Sequence, residues 1–228
     1  MIKELQMKKF ALALVAGTIA ASAASANIST GFYLGAHVGY GSTTADASYT
    51  GTAAPAGRSN VGHGAGSIGL HAGYGMVSGC WYFGGELFYT FENTKITSNL
   101  AAPANTRAQL KRNGVYGIAA RIGWLITPSA MTYIRLGAHA GKWQASDNTV
   151  VGTTNLRGSK NRISFAPGVG MEIAMNKNVY LRGEYTYEFG PSVRGVDTDP
   201  TSVAATVISS RFNNIRSQRF TLGVTYKF

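Results

Sequence analysis

The sequence predicts an all-β fold, an eight-stranded antiparallel up-and-down transmembrane β-barrel. Three observations predict it. Side chains alternate with period two over most of the chain, one phase collects apolar residues while the other collects glycines and a few charges, and short and long connections strictly alternate.

The first 26 residues stand apart. Lys3, Lys8 and Lys9 precede an apolar run from Phe10 to Ala21, followed by Ala24-Ser25-Ala26, the layout of a secretory signal peptide. Cleavage is expected after Ala26, although Ala21-Ser22-Ala23 repeats the small-residue pattern. The apolar run is too short for a good spanning helix, which needs about 20 residues. The barrel is therefore expected over Asn27 to Phe228, after signal-dependent export to the cell outer membrane of a Gram-negative bacterium. Cys80 is the single cysteine, so an exported chain has no internal disulfide to make.

Eight alternating segments are predicted near Gly31–Gly41, Gly64–Met76, Trp81–Thr94, Gly114–Ile126, Met131–Trp143, Arg162–Met175, Val179–Gly190 and Ser217–Phe228. Val77–Cys80, Thr127–Ala130 and Asn176–Asn178 read as tight turns. Ser42–His63, Lys95–Asn113, Gln144–Asn161 and Pro191–Arg216 read as long loops. Short turns at one end and long loops at the other match the periplasmic and extracellular ends of an outer-membrane barrel.

The apolar phase runs through Phe32-Leu34-Ala36-Val38-Tyr40 in the first segment and through equivalent sets in the others, and none of its members is charged. The opposite phase carries Gly35, Gly39, Gly69, Gly73, Gly117, Gly123, Gly137, Gly141, Gly168 and Gly170. A soluble sandwich or lipocalin-like barrel would alternate too, but its solvated face would be rich in Lys, Ser, Asp and Thr. Glycine beside large residues suits a narrow lumen. Aromatics also gather at both strand ends, with Phe32, Tyr74, Trp81, Trp124 and Tyr226 near the turns and Tyr40, Tyr89, Phe91, Tyr116 and Phe189 near the loops. That is the pattern of two interfacial girdles. Pro167 interrupts the sixth segment, where a bulge is expected.

The inward phase also holds four carboxylates, Glu86, Glu172, Glu184 and Glu188, against four guanidiniums, Arg121, Arg135, Arg182 and Arg219. Balanced charge in a confined lumen predicts mutual pairing, with partners on neighbouring strands: Glu86 with Arg121, Arg135 with Glu172 and Arg182, and Glu188 with Arg219. Glu92 has the inward phase but falls at the loop rim, outside this set. The same residues in an open lumen would instead form a charged channel constriction. Eight strands leave an interior just wide enough for side chains, so no large pore is expected.

His37, His71 and His139 share the inward phase, and ordinary hydrogen bonding is expected of them rather than metal or haem ligation; no cofactor is expected. No histidine has the spacing or phase of an outer-membrane esterase or protease site, so no enzyme is expected. Cations cluster in the predicted loops: Lys95, Arg107, Lys111 and Arg112 in the second, Lys142, Arg157, Lys160 and Arg162 around the third. Their expected partners are lipopolysaccharide phosphates in the surrounding outer-membrane lipid, or anionic glycans and other host-surface molecules. An exported chain without a recognition element is not expected to bind nucleic acid.

These residues resemble the small outer-membrane β-barrel surface proteins, the OmpA-type barrel and the porin-family surface antigens. The resemblance rests on Phe32-Tyr33-Leu34-Gly35, Phe83-Gly84-Gly85-Glu86, Leu181-Arg182-Gly183-Glu184-Tyr185 and the last segment, Arg219 to Phe228. It implies that Phe220, Leu222, Val224, Tyr226 and Phe228 form the signal read by the barrel-assembly machinery. It also implies roles within envelope integrity, adhesion, immune evasion, weak channel activity or haem binding. The expectation is a structural and surface-interaction protein, with a narrow passive channel second and haem binding third.

Overall fold

The computed structural model describes residues 26–50, 57–99, 107–148, 156–190, 193–195 and 209–228, with side chains over 26–46, 62–94, 111–144, 161–190 and 214–228. The expected signal peptide, up to Ser25, and the tips of the four long connections lie outside them.

The strands are β1 (Gly31–Thr50), β2 (Gly57–Ser78), β3 (Trp81–Asn99), β4 (Arg107–Thr127), β5 (Ala130–Asn148), β6 (Leu156–Ala174), β7 (Val179–Phe189), the short β8 (Val193–Gly195) and β9 (Ser209–Lys227). Each pairs antiparallel with its neighbour, and β1 pairs with β9 from Tyr33↔Lys227 upward, so eight strands close a barrel with β8 appended to β9. Closure removes the sheet edges that lipid would leave unsatisfied.

The barrel is inside-out relative to a soluble protein. Phe32, Leu87, Ile118 and Ile163 are more than half exposed on its outer face, while Arg121 and Arg182 are buried within. The outward aromatics sit where two interfaces require them: Trp81 meets Trp124 edge-on at 4.8 Å at the turn end, and Tyr89 meets Phe91 at 4.5 Å toward the loops.

All three tight turns form. Gly79 adopts φ +60°, a backbone that favours glycine, beside the exposed Cys80. The Asn176 side-chain carbonyl accepts from the backbone N–H groups of Asn178 and Val179 at 2.9 and 2.8 Å, fixing the β6–β7 turn.

Two expectations are corrected. Most of the residues read as long loops continue the strands as hairpins, so Lys95, Arg107, Lys111, Arg112, Lys142, Arg157, Lys160 and Arg162 are all strand residues. Their stretches lack the apolar contrast that a membrane imposes, so alternation gave no signal of pairing there. Pro167 also makes no bulge. It pairs with Leu136 in β5, and toward β7 the ladder skips Ala166 and Pro167 between Gly168↔Thr186 and Phe165↔Phe189 without changing register.

Among the described residues, β2–β3 pairing stops at Ser67↔Glu92 and β6–β7 pairing stops at Phe165↔Phe189. Above those points the wall divides into two sheets, β2-β1-β9-β8 and β3-β4-β5-β6.

Candidate functional site

The lumen is narrow because large side chains on one strand lie over glycines on the next. The His71 ring occupies the space a Cβ at Gly35 would need, His37 does the same over Gly69, and Tyr133 over Gly170. Close approach of backbone to ring is what glycine permits.

At the turn end, Arg121 on β4 donates to Glu172 on β6 at 2.5 Å and lies 4.1 Å from the centroid of the Tyr133 ring. Below it, the segment before β1 folds into the mouth. Ile28 donates its N–H to the Pro128 carbonyl at 2.7 Å, and Tyr180 donates to the Asn27 carbonyl at 3.0 Å. Lys227 donates to the Ser29 carbonyl and sits 5.3 Å from both the Tyr82 and Tyr180 rings.

The next layer is a clamp across the barrel. Arg182 on β7 binds Glu86 on β3 through two hydrogen bonds of 2.5 and 3.1 Å, and Tyr33 donates to the same carboxylate at 3.3 Å. Arg121 approaches Glu86 at 3.5 Å. Arg135 lies 3.5 Å from Glu184 and 4.6 Å from the Phe88 ring centroid, and Tyr133 donates to Glu184 at 2.9 Å.

Above lies a neutral layer. His37 and His71 face each other through Nδ1 at 3.5 Å, while their Nε2 atoms meet Thr90 at 3.1 Å and Thr225 at 2.9 Å. His139 stands apart, 3.1 Å from Arg135 and 3.2 Å from Glu188. Among the described residues, no three His, Cys, Asp or Glu side chains gather as metal ligands would. A cavity of about 20 Å³ lies here, lined by His37, Thr90, Arg135, His139 and Arg219 among others, roughly the space of one water.

A second ionic layer closes the upper lumen. Arg112 donates to Glu92 at 2.5 Å and to Glu188 at 2.6 and 3.1 Å, with its guanidinium 4.6 Å from the Trp143 ring. Arg219 donates to Glu92, and Ser164 donates to Glu188 at 2.6 Å.

This layer corrects three sequence expectations. Arg112, read as a loop cation, and Glu92, read as a rim residue, are buried at the centre of the upper network. The inner set is therefore five carboxylates against five guanidiniums. Glu188 and Arg219, expected as partners, instead bind Arg112 and Glu92 respectively. The cause is local: the β4–β5 register shifts between Arg112 and Val115, so two residues three apart both face inward. A two-residue count from Arg121 puts Arg112 outside. Asn113-Gly114, at the shift, is the only sequence signal that could have revealed it.

Elsewhere, neighbouring strands supply few of the closest contacts. The short Glu86, Glu172 and Glu184 partners come from two to four strands away, because closure brings opposite walls within side-chain reach. Of the remaining sequence-predicted cations, Lys142 is exposed, and Lys111 and Arg162 are half-buried. The side chains of Lys95, Arg107, Arg157 and Lys160 lie outside the described residues.

Comparison with known proteins places this geometry. Residues 11–228 match the family described as outer membrane protein beta-barrel domain. No functionally curated protein matches the chain. Among solved structures, OprG of Pseudomonas aeruginosa is 14% identical with a TM-score of 0.54, covering 90% of this chain and 98% of its own. Ail, the attachment invasion locus protein of Yersinia pestis, is 14% identical with a TM-score of 0.42, covering 88% and 100%. Neisserial surface protein A is 18% identical with a TM-score of 0.41, covering 86% and 97%. At these identities the likeness to OprG concerns the fold alone.

Proposed function

Because the chain belongs to the outer membrane protein β-barrel domain family, we propose that it is a sealed outer-membrane anchor whose protruding hairpins form a surface-interaction platform, serving adhesion or envelope integrity. The observation that carries this reading is the division of the wall above Ser67↔Glu92 and Phe165↔Phe189. There β1 and β2 continue about 30 Å of strand past Tyr40. Unpaired strand backbone at the outer end of a barrel offers hydrogen-bond donors and acceptors to another molecule. The lumen beneath is crossed by two ionic layers, which suits an anchor better than a conduit.

The platform is tested by shortening the β3–β4 and β5–β6 hairpins to the girdle and measuring binding to host cells and to immobilised anionic glycans. Binding should fall while heat-dependent gel mobility, the signature of an assembled barrel, persists. Undiminished binding would remove the platform reading.

A narrow passive channel is the second reading, favoured by the polar cavity between the ionic layers. Reproducible single-channel steps from wild-type protein in planar bilayers would support it over the sealed anchor.

A further inference from the structure

We propose that the cleft at the top of the β2–β3 seam binds the phosphorylated headgroup of a glycolipid in the outer leaflet. The proposal rests on the barrel's place in the membrane and is independent of the surface-interaction reading.

The cleft exists because the seam ends. Pairing stops at Ser67↔Glu92, and the β3–β4 register shifts between Phe91 and Thr94, leaving a cavity of about 620 Å³ lined by Ser67, Ile68, Phe91, Asn93, Lys111 and Asn113. The depression is shallow and open to the outside of the barrel, so a ligand there would rest on the wall with one side still exposed.

Its height and polarity match one class of ligand. Ile68 and Phe91 are exposed on the lipid-facing wall, continuous below with Tyr89 and Leu70, so the lower rim meets acyl chains. Lys111, Asn93 and Asn113 supply an ammonium and two amides just above that apolar band. The register sets Lys95 beside Lys111, and Lys142 stands on the outer face of the next strand.

Glu92 also lines the cleft, but its carboxylate is held by Arg112 and Arg219 within the lumen. Arg112 and Arg219 are balanced there by Glu92 and Glu188, so Glu92 adds no net charge to the cleft and the Lys111 ammonium leaves it cationic. At a membrane interface, where the dielectric is below that of water, an ammonium attracts phosphate more strongly than it would in bulk solvent. The amides suit sugar hydroxyls and acylamide groups, and the aromatic wall suits the chains attached to them.

The test uses the folded protein in detergent, with binding of bisphosphorylated lipid A followed by native mass spectrometry. One saturable site is expected. The Lys95→Ala, Lys111→Ala variant should bind about tenfold more weakly, and lipid A stripped of phosphate should bind wild type as weakly as intact lipid A binds the variant. Arg216→Ala removes an exposed cation on β9, separated from the cleft by β1 and β2, and should change affinity by less than about twofold. Inorganic phosphate at millimolar concentration should not displace the lipid. Heat-dependent mobility confirms that each variant is folded. Equal weakening by Arg216→Ala would show diffuse attraction and overturn the site, as would displacement by free phosphate or the lack of a saturable site.

Discussion

Arg182 on β7 clamps Glu86 on β3 from the opposite wall of the barrel, Nη1 to Oε2 at 2.5 Å and Nη2 to Oε1 at 3.1 Å. This pair ties together strands that share no backbone hydrogen bond. Glu86→Ala should therefore cost about 3–5 kcal/mol, since it strands a buried guanidinium. Glu86→Ala, Arg182→Ala together should cost less than the sum of the single changes, measured by urea unfolding in detergent. Simple additivity would show that the two side chains are not coupled.

The lumen has two ionic seals in series. Arg112→Ala removes the centre of the upper one but leaves the Arg182–Glu86 clamp. In planar bilayers Arg112→Ala alone should stay without stable conductance, whereas Arg112→Ala combined with Arg182→Ala should show discrete openings. Openings of equal size from Arg112→Ala alone would mean that the lower layer does not seal.

Glycines on the two faces should respond oppositely to added volume. A Cβ at Gly35 would meet the His71 ring and the Val224 backbone carbonyl, while one at Gly85 meets no atom within 4 Å. Gly35→Ala should destabilise the barrel by about 1–3 kcal/mol through overpacking. Gly85→Ala should be close to neutral. Unfolding midpoints in detergent check both, and similar losses at the two sites would contradict the assigned faces.

The three tryptophans divide between lipid and lumen. Trp81 and Trp124 are nearly half exposed on the outer wall, whereas Trp143 is 2% exposed beside Arg112. Lipids brominated near the headgroup end of their chains should quench most wild-type fluorescence. In Trp81→Phe, Trp124→Phe the remaining emission should resist quenching, and quenching of that emission would place Trp143 in lipid.

Cys80 reports orientation, being exposed in the β2–β3 turn and the only cysteine of the chain. A membrane-impermeant maleimide should label it only after the outer membrane is permeabilised. Labelling on intact cells would invert the barrel.

The strands and turns were legible because a membrane barrel puts hydrocarbon on one side of each strand and a polar lumen on the other. Ile134 and Arg135 contrast as sharply as neighbouring residues can. Past the girdle that contrast ends, which is why the residues from Ser42 to Thr50 read as loop although they pair with both β2 and β9. The candidate site was legible as a composition and only partly as a membership. Glu86, Arg121 and Arg182 follow the two-residue count, but Arg112 enters through a register shift that the count cannot see.

By itself, the sequence determined the barrel, its strand order and the charged character of its interior, because period two, turn chemistry and strand adjacency are local properties of the chain. Only the tertiary structure decided which carboxylate meets which guanidinium, that Glu92 and Arg112 belong inside, and that the β2–β3 seam opens into a cleft. Those depend on closure and register, which bring residues as far apart as Glu86 and Arg182 within 2.5 Å across a lumen whose width no local pattern encodes.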